Sequence, residues 1–276
     1  MTKLDQAVIL ITGTTGGFGQ ELTRQLLRAG SRLILTDLDQ TALTAWSESV
    51  QREITTGEIL ACIPADLADP AGSAALYQQV NAISIPVDIL INNAGIGLFG
   101  RMDEVPVEQW ERLMQVNLLA AMRLSTLFAA DMIARRQGHI VNISSLAGWC
   151  AQAGMAHYAA SKFGLRGFSE GLFDEVKHYG VQVTAVYPFF SRTPILRSPG
   201  YGTLAQNYQG FPDHLATDPA QVIAVTIRGI EQNKLHVFPD RPAQIIHLVK
   251  RFFPQLLTWL GTVLSKRLNN ERKQLS

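Results

Sequence analysis

The chain has 276 residues, 47% hydrophobic and 17% charged, with a formal net charge of +1. That length can bury one substantial core, and the near-neutral balance lacks the basic excess with which nucleic-acid surfaces meet phosphates. Its six histidines show no H-x-x-x-H or H-E-x-x-H spacing, so no metal centre is expected, and Cys62 and Cys150, in or beside apolar runs, are expected as buried free thiols rather than a disulfide.

The first apolar run, Ala7 to Ile11, leaves no room before it for a signal peptide, so synthesis in the cytosol and a cytoplasmic location are expected. Thr12 to Gly19 then reads T-G-T-T-G-G-F-G, and Leu22, Leu26 and Leu27 follow at helical spacing. Strand, glycine turn and helix in that order suit a dinucleotide. Gly13 permits the tight turn, Gly17 lets the backbone approach a pyrophosphate, and Gly19 lets helix and strand pack. Thr15 and Phe18 lie among them, and the helix N-terminus supplies N–H groups and positive potential. The second run, Arg32 to Thr36, ends at Asp37, about 20 residues beyond the turn, where a dinucleotide fold places the acid that bonds the adenosine ribose. A carboxylate there repels a 2′-phosphate and favours NAD, while Arg24 and Arg32, near in sequence, keep NADP as the alternative. Asp37 could also be only the polar end of a strand, or a helix cap together with Asp39.

Further apolar runs at Ile59 to Ile63, Val87 to Ile91, His139 to Ile143, Val181 to Tyr187 and Leu235 to Phe238 alternate with amphipathic stretches. That order requires crossovers, hence a Rossmann-like, doubly wound α/β fold: a parallel sheet of about seven strands with helices on both faces. In the segment Tyr158-Ala159-Ala160-Ser161-Lys162, helical spacing sets a phenol beside an ammonium. The lysine and a cationic nicotinamide ring would both favour phenolate and bring the tyrosine pKa down from about 10. The Gly- and Pro-rich stretch 190–219 is too long for an ordinary connection and is read as a substrate-covering flap.

From Ile245 the apolar positions run 245, 248, 249, 252, 253, 256, 257, 260, 263 and 264, with His247, Lys250, Arg251, Gln255 and Thr258 on the other face. Pro254 divides this pattern into two helices, and Lys250 and Arg251 would each cost about 2.5 to 3.5 kcal/mol at a bilayer centre. A span is therefore not expected. A helix pair closing the pocket, a dimer contact and a peripheral membrane-surface anchor, helped by the basic residues from Lys250 to Lys273, remain open. The expected division is 1–240 for a dinucleotide-binding and catalytic domain and 241–276 for a helical extension of the same domain.

Several motifs agree in order with one family. The glycine turn, Asp66-Leu67 after the third run, Asn92-Asn93-Ala94-Gly95 after the fourth, Asn117 within a long helix, Ser144-Ser145 after the fifth, and Tyr158 with Lys162 make residues 5–240 resemble a single-domain short-chain dehydrogenase/reductase. The resemblance implies hydride transfer between a nicotinamide and a carbonyl carbon. Negative charge then develops on oxygen and calls for a proton donor and a second hydrogen-bond donor. Tyr158 and Ser145 suit those roles, and the family's thirteen-residue spacing selects Ser145 over Ser144. By the same resemblance Lys162 holds the nicotinamide ribose and Asn117 anchors a water on the proton path, with local helix bonding as the plain alternative for Asn117. Asp66, beside Leu67, meets the adenine edge, and Asn93, Ala94 and Gly95 wall the adenosine. The family's Pro-Gly is replaced by Pro188-Phe189, and Thr193 stands at the position of the carboxamide-binding threonine. Phenylalanine adopts positive φ less freely than glycine, so a reshaped nicotinamide pocket or an added apolar wall is expected.

Ile96, Leu98, Phe99, Leu146, Trp149, Met155, Phe189, Phe190 and Ile195 are candidate pocket residues and suit a lipophilic small-molecule substrate. The expected protein is an NAD(H)-dependent oxidoreductase interconverting an alcohol and its ketone or aldehyde, as a homodimer or homotetramer with no nucleic-acid partner. Its alternatives are an NADP(H)-dependent carbonyl reductase and a non-catalytic dinucleotide sensor. The complete set Asn117, Ser145, Tyr158 and Lys162 speaks against the sensor.

Overall fold

The computed structural model describes residues 1–206 and 210–255. Strands and helices alternate as β1 (Val8–Thr12), α1 (Gly17–Arg28), β2 (Arg32–Asp37), α2 (Gln40–Glu53), β3 (Glu58–Pro64), α3 (Pro70–Ala82), β4 (Ile89–Asn92), β5 (Phe99–Gly100), α4 (Val107–Met114), α5 (Ala120–Ala134), β6 (Gly138–Ile143), α6 (Ala156–Val176), β7 (Val181–Val186), β8 (Gly200–Tyr201), α7 (Gly202–Ala205), α8 (Pro219–Glu231), β9 (His236–Val237) and α9 (Arg241–Phe252). Successive residues of β1 point to opposite faces, and both sets are apolar. Ile9 and Ile11 pack with Leu22, Leu26 and Leu27 of α1, whereas Val8 and Leu10 pack with Leu76 and Val80 of α3. A strand buried on both faces requires a helical layer on each, and the sheet has one on each.

The sheet has seven strands in the order β3-β2-β1-β4-β6-β7-β9, every pair parallel. The expected runs all appear, shifted by a residue or two, with the last reduced to His236–Val237. After β3 the chain returns to the other side of β1, so β1 and β4 flank the point where the winding reverses. Their carboxyl ends open a crevice there, the usual ligand position in such sheets. The stretch Val107–Ala134 is long and apolar enough to cross a bilayer, but it buries Leu113, Leu124, Phe128 and Met132 within the fold, as a core helix does.

Two features were not expected. β5 pairs in parallel with β8, and the Glu104 carboxylate accepts from the Thr203 N–H at 2.6 Å, so the stretch 190–219 is stitched to the loop after β4. Two-residue strands leave no periodicity to read.

The second is the orientation of α9, which reverses the one its hydropathy suggests. Ile245, Leu248, Phe252 and Phe253 are exposed, while the His247 ring stacks on Phe238 at 4.0 Å and meets Trp149 edge-on at 4.3 Å. Hydropathy counts histidine as polar, but a neutral imidazole packs as an aromatic ring, and burial lowers the pKa of His247 in keeping with neutrality. The helix expected beyond Pro254 lies outside the described residues from 256 onward. Both cysteines are free, and each is half-buried rather than fully buried as expected.

Candidate active site

The glycine turn leaves β1 at the crevice, and its shape depends on backbone that no side chain could share. Gly13 sits at φ +68°, and a Cβ there would lie 2.8 Å from Ala94 Cα. A Cβ on Gly19 would lie 2.0 Å from the Gly13 carbonyl oxygen, so Gly19 is needed because the first turn of α1 folds back on the glycine turn itself, a closer constraint than helix-on-strand packing. Gly17 faces Thr193 instead, with its Cβ position 2.6 Å from Thr193 Cγ2.

Neighbouring side chains brace this turn. Asn93 Nδ2 donates to the carbonyls of Thr12 (2.8 Å) and Gly13 (3.0 Å), and Thr12 Oγ1 accepts from the N–H groups of Asn93 and Ala94. Asn93 therefore clamps the ends of β1 and β4 together. Asp37 Oδ2 accepts from both the N–H (2.8 Å) and the hydroxyl (2.7 Å) of Thr15, which fixes its carboxylate at the cavity rim. Asp39, not Asp37, caps α2, through the N–H groups of Thr41 and Ala42. Asp66 is exposed at the same rim beside buried Leu67, and Phe18 lines the wall.

One cavity of about 1240 Å³ is lined by this turn, by Tyr158 and Lys162 of α6, and by Ile246 and Lys250 of α9. On α6, Tyr158 and Lys162 are 9% and 4% exposed, with Lys162 Nζ 5.6 Å from the phenol ring centre and donating to the Ile143 carbonyl at 3.0 Å. Burial raises the phenol to about 12, opposed by a hydrogen bond from Ser145, and burial lowers the ammonium to about 8. Burial thus pushes the phenol upward while the Ser145 hydrogen bond pulls it down. Desolvation outweighs a cation whose proton is already committed to a backbone carbonyl.

Ser145 begins the short turn Leu146–Gly148, its Oγ accepting from the Ala147 N–H at 3.1 Å, whereas Ser144 turns inward and donates to the Lys162 carbonyl. Asn117 lies in a π-helical turn, Gln115–Leu119, between α4 and α5. Its carboxamide accepts from the Ile96 N–H (2.8 Å) and donates to the Ile96 carbonyl (2.9 Å), with a longer contact to Ser161 Oγ (3.4 Å), so it clamps the loop after β4 rather than its own helix. Gly95 passes between these groups, its Cβ position 3.4 Å from Asn117 Oδ1 and 3.7 Å from Lys162 Nζ.

Phe189 is absent from the positive-φ residues, so replacing the family's glycine causes no backbone strain. Its N–H donates to Asp240 at 2.9 Å, and its ring joins Phe190 and Phe211 in an aromatic wall. The candidate pocket residues line the cavity with one exception. Trp149 turns away to pack on His247 and Phe238, with the Arg166 guanidinium 3.2 Å from its ring centre. Among lining residues not singled out as pocket residues from the sequence are Arg112 on α4, and Ile246 and Lys250 on α9. The two cations read as solvated helix charges.

The Lys162 shift has a consequence for stability. Its folded pKa of about 8 lies below the unfolded value of 10.5, so its contribution is favourable above the unfolded pKa and is lost as pH falls through 8. Lys162→Met should therefore be more stable than the unmodified protein at pH 7, by on the order of 1 to 3 kcal/mol, and the difference should shrink between pH 8 and 10.5. Urea unfolding of both proteins across that range checks it; a difference independent of pH would show that the ammonium is not desolvated.

A family model described as short chain dehydrogenase matches residues 7–200. The acetoacetyl-CoA reductase of Acinetobacter sp. is 29% identical over 235 residues, 84% of this chain and 94% of the relative. The 3-dehydrosphinganine reductase of Danio rerio is 32% identical over 194 residues, 70% of this chain but only 58% of the relative's length. Among solved structures, a short-chain dehydrogenase from Sphingobium yanoikuyae in complex with NADPH is similar at a TM-score of 0.76 and 27% identity, over 93% of this chain and 95% of that one.

Proposed function

Since the chain belongs to the short-chain dehydrogenase family, we propose that it is an NAD(H)-dependent oxidoreductase interconverting an alcohol and its ketone or aldehyde on a lipophilic small molecule. The observation that carries this reading is the convergence of Ser145, Tyr158 and Lys162 on the same cavity as the glycine turn. The turn suits a dinucleotide because its backbone, with that of Gly16 and Gly17 at the start of α1, lines the cavity at a helix N-terminus. A bound nicotinamide supplies or accepts the hydride. Tyr158 Oη gives a proton to the nascent alkoxide in reduction and takes it back in oxidation, while the Ser145 hydroxyl donates a second hydrogen bond to that oxygen. Lys162 would hold the ribose, and the positive charge of an oxidised nicotinamide would favour the phenolate against the burial that raises it. Asn117 holds the Ile96 loop beside the site and anchors a water on the proton path. Asp66, Leu67 and Asn93 to Gly95 take the adenosine side, and Thr193, opposite Gly17, takes the carboxamide.

NAD is favoured because Asp37 keeps its carboxylate at the adenosine end and neither nearby arginine is free to neutralise a 2′-phosphate. Arg24 pairs with Glu21 and Glu53, and Arg32 with Glu58. The NADPH complex of the Sphingobium relative supports NADP as the second reading. Calorimetric titration should give NAD at least about tenfold tighter than NADP, and Asp37→Ala should narrow that gap. Tighter NADP binding by the unmodified protein would reverse the assignment. Turnover of steroid, retinoid, acyl and short-chain alcohols and ketones with both cofactors tests the activity itself, and cofactor binding without turnover across that panel would favour the sensor.

We assign 241–276 to the same domain as 1–240, supported by the packing of His247 on Trp149 and Phe238 and by Ile246 and Lys250 in the cavity wall. The reading places the enzyme in the cytoplasm as a homodimer or homotetramer. The outward apolar face of α9, Ile245, Leu248 and Phe252, supports contact with a second copy or a membrane surface.

A further inference from the structure

The cavity is electrically lopsided. Its lining carboxylates are Asp37 and Asp66, both at the adenosine end, and the cations Arg112, Lys162 and Lys250 stand at the other. Lys162 is bonded to the Ile143 carbonyl, but Arg112 and Lys250 have no hydrogen-bond or ion-pair partner among the described residues, unlike Arg24, Arg28, Arg32, Arg101 and Arg166, each paired with a carboxylate. The same lining includes the apolar residues Leu98, Met155, Phe190 and Ile246. Lys250 is held in place deliberately. Asp240 caps α9 through the Ala243 N–H at 2.9 Å and accepts from the Phe189 N–H at 2.9 Å, which fixes the start of α9 to the end of β7. The inverted packing of α9 through His247 then turns Ile246 and Lys250 inward.

We propose that the substrate is a lipophilic carbonyl or alcohol with an anionic end, and that Lys250 and Arg112 receive the anion while the apolar wall takes the chain. The proposal rests on the oxidoreductase reading for what is transformed. An anion in this position meets two cations that have no competing partner among the described residues: Lys250, half-buried in the cavity wall, where a charge-assisted contact is stronger than on an open surface, and Arg112, which is exposed and adds a longer-range attraction. Either a carboxylate or a phosphate fits that description. Lys250 in the last turn of α9 also suits the helix dipole, a role that would affect stability but not ligand choice.

The test is a calorimetric titration of the protein, with and without saturating NAD, using dodecanoate, dodecyl phosphate and dodecanol. Both anions should bind about tenfold tighter than the alcohol, and tenfold more salt should erode that preference. If only one anion shows the preference, it identifies the headgroup. Lys250→Met and Arg112→Gln should each lose most of the preference while dodecanol binding stays unchanged, and either variant alone suffices should the other fold poorly. Equal affinity for the three ligands, or a preference that survives both substitutions, overturns the proposal. Absence of binding of both NAD and NADP would instead count against the oxidoreductase reading, and the titrations without cofactor would still decide whether the anion site exists.

Discussion

Tyr158→Phe should lower kcat by about a thousandfold or more on any substrate the protein turns over, with NAD affinity changed by less than about threefold. The ring is 9% exposed and α6 is anchored independently by Ser144 on the Lys162 carbonyl, so phenylalanine fills the same space and removes only the hydroxyl. No other described side chain at this end of the cavity combines an acidic proton with a hydrogen bond to Ser145. Loss should appear in kcat and kcat/KM together, as for an interaction made only at the transition state. Near-normal kcat in the variant would mean that another acid serves the reaction.

Gly19→Ala should destabilise the protein by about 2 to 4 kcal/mol and abolish dinucleotide binding, because the added methyl would sit 2.0 Å from the Gly13 carbonyl oxygen and 2.6 Å from Thr14 Cα, both backbone atoms with nowhere to go. Gly16→Ala is the matched control. Its Cβ would lie 3.4 Å from the Gly13 carbonyl oxygen, an ordinary contact, so stability should change by less than about 1 kcal/mol. Urea unfolding and calorimetric titration with NAD on both variants separate the two. Equal behaviour would show that the turn relaxes more freely than its packing suggests.

The architecture was legible because each strand of a doubly covered sheet must be apolar on both faces. A continuous run such as Ile9 to Ile11 therefore marks a strand directly, and a parallel order follows from the intervening helices. The catalytic cluster was legible because Tyr158 and Lys162 lie one helical turn apart, so local geometry alone brings them together. What the sequence could not show depends on contacts between distant segments. Asn117 meets Ile96 across 21 positions, and Phe99–Gly100 pairs with Gly200–Tyr201 from a segment about a hundred residues further along the chain. Trp149 and His247 form one aromatic cluster from opposite ends of the catalytic half, and that contact turns α9 over, which hydropathy alone reads the other way. Lys250 and Arg112 were invisible as pocket residues for the same reason, since a charge on a helix is ordinarily a solvated charge. Spacing shows the lysine beside the tyrosine but not the depth at which both groups are buried, which shifts both of their pKa values.

The central claim is that Tyr158, Ser145 and the glycine turn form one site for hydride transfer to a lipophilic carbonyl. Incubating the protein with NADH deuterated at both C4 positions and a panel of lipophilic ketones and 3-oxoacyl thioesters, then locating the label by mass spectrometry and NMR, tests it most directly. Deuterium should appear at the carbinol carbon of at least one product, and none should appear with Tyr158→Phe. Tight NADH binding with no label transferred to any carbonyl, or equal transfer by Tyr158→Phe, would contradict it.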